Sequence, residues 1–267
     1  MPTAGESVGP AEDTQAATKI NKPLEGRRAL VTGAGGGLGG AISEALANAG
    51  AAVSLMARGR PALEAVAARI AAKGGTAFVA PCDITDISSV ASTLGALPSH
   101  DIVVNAAGTN RPEPFVGVSL ETFDLLFDLN VRALFAVTQL AVRRLLEEKR
   151  GGVVINIGSQ MGHVGAVNRA VYCATKHAVE GLTKALAVEL APGSIRVVTI
   201  APTFVDTPLT RPFFEDADFR KDVLSAIPLG RLASPDDIAA AVVFLASDSA
   251  SMVTGTSFVV DGGWTAK

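Results

Sequence analysis

The strongest constraint in this sequence is a rhythm. Seven short, β-branched runs recur along the chain: ALVT (29–32), AVSLM (52–56), TAFVA (76–80), DIVVN (101–105), VVINI (153–157), RVVTI (196–200) and SFVV (257–260). Longer stretches with helical spacing separate them. Near-continuous apolar strands belong to sheets covered on both faces, and parallel strands need a crossover of about helix length between them. The rhythm therefore predicts a doubly wound α/β fold: a seven-stranded parallel sheet with helices on both faces, Rossmann-like in plan. Punctuation agrees. Gly50 closes LGGAISEALANAG, Pro61 opens and Gly74 closes the next helix, and Ser234 with Pro235 reads as N-cap and first helical position before DDIAAAVVFLAS.

Residues 1–23 hold hardly a large apolar side chain and are expected to be a disordered N-terminal tail, leaving 24–267 as one domain. One stretch, 202–231, breaks the rhythm with several prolines, paired phenylalanines and mixed charge; it is expected to be an irregular substrate loop or lid. Charged residues make up 18% of the chain against 48% apolar, which asks for burial between subunits as well as within one. A net charge of −3 without a basic stripe argues against nucleic acid. Cys82 and Cys173 are far apart and lack metal-ligand spacing, so no metal site and reduced thiols are expected, which points to the cytoplasm. The N-terminus lacks the basic start and apolar stretch of an export signal. No run approaches the ~18 apolar residues of a membrane span.

The first strand runs into TGAGGGLGG and then a helix, the order that a pyrophosphate cradle requires: a backbone able to approach phosphate, and free N–H groups at a helix start near Leu38. The letters fit G-x-G-x-x-G through Gly35, Gly37 and Gly40, a weak match where six of eight residues are glycine. At the end of the second strand, where an acid would read the ribose of NAD, stand Ala57 and Arg58. Arg58, with Arg60 nearby, can pair with a 2′-phosphate, so NADP(H) is favoured and NAD(H) stays possible. Asp83, past the third strand, either reaches the adenine edge or caps the following helix.

Taken in order, TGAGGGLG (32–39), NAAG (105–108), Asn130, Ser159, YCATK (172–176) and PTFVDT (202–207) resemble the motifs of the single-domain short-chain dehydrogenases/reductases, over residues 24–267. The resemblance implies that Gly33, Gly37 and Gly39 surround the pyrophosphate, a different spacing from the one above. It implies cofactor contacts at Gly33, Gly35, Gly37, Leu38, Gly39, Arg58, Asp83, Ile84, Asn105, Ala106, Gly108, Tyr172, Lys176, Pro202, Val205 and Thr207. Two positions depart from the family pattern. Ala106 stands where a second asparagine is usual, and Thr203 where a glycine follows proline, which implies a narrower pocket on the nicotinamide side.

Tyr172 is the only tyrosine in the chain, and Lys176 follows it by four residues, on one face of the expected helix with about 6 Å of axial rise between them. Ser159 follows a strand, at the carboxyl end of the sheet. A free phenol has a pKa of about 10 and is a poor base at neutral pH; an adjacent ammonium and a positive nicotinamide ring would favour its ionised form. By resemblance, Tyr172 exchanges a proton with the substrate oxygen while hydride moves, Ser159 holds that oxygen, Lys176 binds the nicotinamide ribose, Asn130 holds a water leading to solvent, and Thr207 meets the carboxamide.

Around this centre the sequence places Arg111, His163, Asn168, Arg169, Thr203 and Phe204, with Phe213 and Phe214 in the lid. The polar set suggests a small polyhydroxylated or anionic carbonyl compound, with Arg111 and Arg169 on its anionic group; His163, without a visible acid partner, reads as a substrate hydrogen bond. The favoured function is interconversion of a secondary alcohol and a carbonyl in a sugar, polyol or hydroxy acid. A 3-oxoacyl-thioester (acyl carrier protein) reductase and a non-catalytic dinucleotide sensor are the rivals. The C-terminal TGTSFVVDGGWTAK, with Trp264, resembles the family's last strand and subunit-contact tail, so a homotetramer is expected.

Overall fold

The computed structural model describes residues 22–267; residues 1–21, and with them nearly all of the expected tail, lie outside the described residues. Seven parallel strands form one sheet in the order β3-β2-β1-β4-β5-β6-β7. They are β1 Arg28–Thr32, β2 Ala52–Ala57, β3 Thr76–Pro81, β4 Ile102–Asn105, β5 Gly152–Ile157, β6 Ile195–Pro202 and β7 Ser257–Val260. The chain winds outward in one direction through β1, β2 and β3, then crosses back to β4 and winds the other way. That reversal opens a crevice past the carboxyl ends of β1 and β4, where a ligand can enter without breaking a strand pair.

Two cores cover the sheet. On one face lie α1 (Gly37–Asn48), α2 (Arg60–Ala72) and α8 (Pro235–Ala246), which bury Ile42, Leu46, Val66, Ile70 and Val242 against Val31, Val53 and Ile155. On the other lie α3 (Ile87–Ala96), α5 (Leu134–Glu147) and α6 (Ala170–Leu190), burying Val90, Val137 and Leu145 against Leu30, Val103 and Val154. Each fully buried aliphatic side chain contributes about 1.5–3 kcal/mol, so truncating Ile155 at the sheet centre should cost about 2–5 kcal/mol. The helix ends follow the expected chemistry: Gly50 and Gly74 take positive φ after α1 and α2, and Ser234 forms a capping box with Asp237 at the start of α8.

Three expectations need correction. Burial on both faces fails at the sheet edges, where Phe78 of β3 and Phe258 and Val259 of β7 are about two-fifths exposed, the edge strands having a neighbouring strand on one side only among the described residues. The stretch 202–231 is not irregular: Asp216 caps α7 (Ala217–Ala226), a 3₁₀ turn spans Arg211–Glu215, and Phe204 packs against Phe214, Phe219 and Trp264. Finally α4 (Leu120–Phe127), a π-helical turn at Asp128–Ala133 and α5 run on as one helix, Leu120–Glu147, long and apolar enough to cross a membrane, with a mean hydropathy of 1.5; half of that window is buried inside the fold. Charged residues scattered through it hide this run in the sequence.

Candidate active site

Past the carboxyl ends of the strands lies a cleft of about 680 Å³. Its floor at one end is the loop after β1. Gly33 has φ 71°, and a Cβ built there would stand 2.9 Å from the Ala107 backbone, while one on Gly39 would strike the Gly33 carbonyl. Glycine is needed at both because the two backbones touch. No side chain caps α1, so its first-turn N–H groups at Gly37, Leu38 and Gly39 face the cleft, and with Gly33 and Gly35 they leave a backbone cradle suited to a pyrophosphate. Gly40 is packed against Val66 within the fold, so the spacing through Gly35, Gly37 and Gly40 is corrected to Gly33, Gly37 and Gly39. Thr32 accepts the N–H groups of Ala106 and Ala107 at 3.1 and 3.2 Å, fastening the loop after β4 beside the cradle.

At the far end of the cradle, Ala57 and Arg58 face Asp83, Ile84 and Thr85 across the cleft. Arg58 is exposed and makes no ion pair among the described residues; Arg60 turns away to Glu64 at 3.6 Å. Asp83 accepts the Thr85 N–H and hydroxyl, and these bonds, with Arg58 behind them, hold its carboxyl below the usual carboxylate range. The cap of α3 is Asp86, so the capping alternative for Asp83 is corrected.

At the other end Ser159, Tyr172 and Lys176 meet. Tyr172 and Lys176 lie one turn apart on α6, and Ser159 follows β5, which hydrogen-bonds to β4 and β6. Ser159 Oγ accepts the Met161 N–H at 3.1 Å, leaving its own proton free to donate toward the cleft. Lys176 is buried and donates to the Ile157 carbonyl at 2.8 Å, which leaves two of its three N–H groups for a ligand. Burial pushes Tyr172 up to about 12, with Ser159 and Arg169 pulling the other way, and burial pulls Lys176 down to about 8, opposed by Glu180. The expectation joined the Lys176 ammonium to a positive nicotinamide ring; in the protein alone, burial keeps the phenol protonated.

Asn130 sits in the π-helical turn between α4 and α5. Its amide accepts the Thr109 N–H at 2.9 Å and donates to the Thr109 carbonyl at 2.9 Å and to Thr175 at 3.3 Å. The side chain is thus spent on holding the loop after β4 and is not on the cleft surface. Asn105 also lies beneath the cleft rather than on it; it donates to Thr138 and Asn156, and Asn156 in turn donates to Thr183, tying β4, β5, α5 and α6 together. Asn105 Oδ1 itself is left without a donor.

Of the six positions expected around the substrate, Thr203 and Phe204 line the cleft. Thr203 has no positive φ; its N–H donates to the Val260 carbonyl, and its hydroxyl has no partner. The other four do not line it. Arg111 is exposed, Asn168 is a turn residue with φ 58°, and His163 points to the start of β7, 2.9 Å from Ser257 and 3.4 Å from Glu180, so it does have an acid neighbour. Arg169 is buried behind Phe213. Sequence reasoning missed Asn110 and Gln160, which follow NAAG and Ser159 directly and reach the cleft; their adjacency to those motifs was the available signal.

Residues 33–265 match the family profile described as enoyl-(acyl carrier protein) reductase, and L-xylulose reductase of Bos taurus is 40% identical over 243 residues, covering 91% of this chain and 98% of its own. The chain belongs to the short-chain dehydrogenase/reductase family. As a member it is an NAD(P)(H)-dependent oxidoreductase acting on CH–OH groups. Among solved relatives of this reductase, an Agrobacterium tumefaciens protein assigned as a 2-deoxy-D-gluconate 3-dehydrogenase and holding NADP is 41% identical, with a TM-score of 0.88 over 93% of this chain and 100% of its own. Gluconate 5-dehydrogenase of Burkholderia cenocepacia, solved with NADP and tartrate, is 32% identical with a TM-score of 0.88, over 92% and 98%.

Proposed function

We propose that this short-chain dehydrogenase/reductase interconverts a secondary alcohol and a ketone on a small polyhydroxylated compound, a sugar, polyol or hydroxy acid, using NADP(H) in preference to NAD(H). One observation carries the reading: a phenol, a serine hydroxyl free to donate, and an ammonium with two unused donors meet at one end of a dinucleotide cradle. The cofactor supplies or accepts a hydride. Tyr172 passes the proton to or from the substrate oxygen, and Ser159 donates to that oxygen and fixes it near the phenol. Lys176 uses its two free donors to orient the nicotinamide ribose and adds positive charge beside Tyr172. Asn130 positions the loop carrying Gly108 and Thr109, and leaves any contact with water to its backbone.

The NADP(H) preference rests on Arg58, which is exposed, forms no ion pair among the described residues, and stands beside Ala57 where an acid at the end of β2 would repel a phosphate. Unpaired polar atoms at Asn110, Gln160 and Thr203 on the cleft wall favour a hydroxylated substrate over an acyl thioester. A homotetramer in the cytoplasm completes the proposal. Two separate apolar faces support the tetramer, one with Phe123 and Phe135 and the other with Phe244, Phe258 and Val259, since two different self-complementary contacts generate a closed tetramer. Steady-state assays of NADPH and NADH against neutral ketoses, keto acids and acyl thioesters test the reading. Turnover of polyhydroxylated ketones with NADPH is expected; turnover of thioesters alone, or none with any carbonyl, would overturn it.

A further inference from the structure

Glu180 is a buried carboxylate to which the chemistry above gives no task. It is 5% exposed and sits on α6 one turn past Lys176. Its Oε1 accepts the Ser257 hydroxyl at 3.1 Å and lies 3.4 Å from His163 Nε2, while its Oε2 has no partner. No lysine or arginine forms an ion pair with it among the described residues. A carboxylate leaves water at a cost that one hydroxyl and a partly exposed imidazole offset only in part. Such a group needs a reason to be where it is.

The reason lies in what it stands behind. The Lys176 ammonium donates to the Ile157 carbonyl, and the next residue, Gly158, stands over the carboxylate: a Cβ built there would be 3.1 Å from Glu180 Oε1. The two opposite charges therefore flank one stretch of backbone at the end of β5, immediately before Ser159. Glu180 Cγ also packs under Gly162, where a Cβ would be 3.1 Å away, so the side chain runs beneath the turn that presents Ser159. Little water screens an attraction across so buried a gap. Glu180 is the group that opposes the downward pull of burial on Lys176. Burial pushes the Glu180 carboxyl itself upward, against the groups that face it: His163, Ser257, Lys184 and Lys176.

Resting on the oxidoreductase reading above, we propose that Glu180 is a positioning residue for the reaction: it supplies the counter-charge that keeps Lys176 an ammonium, and it props the turn carrying Ser159. Without that charge the buried lysine gives up its proton at a lower pH. A neutral amine, already bonded to Ile157, keeps only one N–H for the nicotinamide ribose and no longer favours the phenolate of Tyr172.

The pH dependence of ketone reduction tests it, with NADPH and the ketose of the assay panel that turns over fastest. Glu180→Gln keeps the shape of the side chain but removes its charge. Its deficit in kcat is expected to be about 10-fold at pH 8 and to shrink to about 2-fold at pH 6, the alkaline limb having moved toward acid by about 1–2 units. Glu180→Asp, which keeps the charge, and Ser257→Ala, which removes only a hydrogen bond, should both leave that limb in place. A loss of the same factor at both pH values would overturn the proposal and make Glu180 a packing residue. So would an unmoved limb in Glu180→Gln, or a limb moved as far by Ser257→Ala. If Glu180→Gln fails to fold, the infrared spectrum of the unaltered enzyme decides, since the proposal requires an ionised Glu180. A protonated-carboxyl band at pH 8, where every exposed carboxyl is ionised, would overturn it, and its absence is expected. Failure to reduce any carbonyl with NADPH would sink the oxidoreductase reading, while the infrared result would still decide whether Glu180 carries its charge.

Discussion

The Lys176 ammonium lies 5.6 Å from the centre of the Tyr172 ring and is tied to the Ile157 carbonyl at 2.8 Å. In this geometry the lysine is fixed by β5 rather than by the tyrosine, so it can serve ligand and phenol together. Desolvation shifts both groups toward their neutral forms in the protein alone, pushing Tyr172 up to about 12 and pulling Lys176 down to about 8, which still leaves the lysine an ammonium at neutral pH. A positive nicotinamide ring is the charge that would bring the phenol within reach of neutral chemistry.

Removing the phenol should remove the proton transfer and little else. Tyr172→Phe is expected to lower kcat by about 10²–10⁴-fold while NADPH affinity, measured by fluorescence titration, stays near that of the unaltered enzyme. An equal loss of cofactor affinity would mean that the tyrosine serves to bind rather than to react.

Lys176 should cost stability where it gains function. Its folded pKa of about 8 lies below the usual 10.5, so near neutral pH the protein bears the expense of burying an ammonium, and that expense is relieved as pH rises from 8 to 10.5. Lys176→Met, which also loses the bond to Ile157, should gain about 1–2 kcal/mol at neutral pH while losing activity. Denaturant melts at neutral pH and near pH 10 check this, and the gain should shrink at the higher pH.

His100 gives the fold a sensitivity to acid. It is buried, 2.9 Å from Ser54, and desolvation first, then Arg144 and Arg28, pull it down to about 4. Between pH 6.5 and 4 the unfolded chain binds a proton that the folded one refuses, so stability is full above 6.5 and falls by about 3 kcal/mol across that window. His100→Asn should flatten this part of a pH–stability curve. An unchanged slope would place the acid sensitivity elsewhere.

Cofactor choice should turn on Arg58. Arg58→Ala is expected to raise the KM for NADPH by about 10–100-fold and leave that for NADH within about 2-fold, the scale of a lost charge-assisted contact to phosphate. Loss of both in parallel would mean that the residue shapes the pocket rather than reads the phosphate.

The fold was legible because a buried parallel strand must be apolar along its whole length, and all seven runs are strands. What escaped depends on neighbours that a sequence does not show. Phe78 and Phe258 read as core until the strand order puts them at the edges. The helix α7 was masked by flanking prolines, although Asp216 signals its start. The π-helical turn at Asn130 has the apolar pattern of an ordinary helix, and only the structure shows the amide spent on Thr109. His163 meets Glu180 through the packing of α6, a partnership that no spacing rule could find. Arg169 reads in the sequence as a candidate for the substrate's anionic group, but the fold buries it beside Phe213 and off the cleft wall, a placement that no spacing shows.

Because Tyr172 is the chain's only tyrosine, its ionisation can be read without ambiguity from the near-ultraviolet tyrosinate band. Titrating the free enzyme, the enzyme with NADP⁺, and Lys176→Met with NADP⁺ tests the central claim. The phenol alone should remain protonated at pH 10, with a midpoint near 12; NADP⁺ should bring the midpoint below 10, and the lysine variant should lose much of that drop. A midpoint at or below 10 in the free enzyme, unmoved by NADP⁺, would contradict the account.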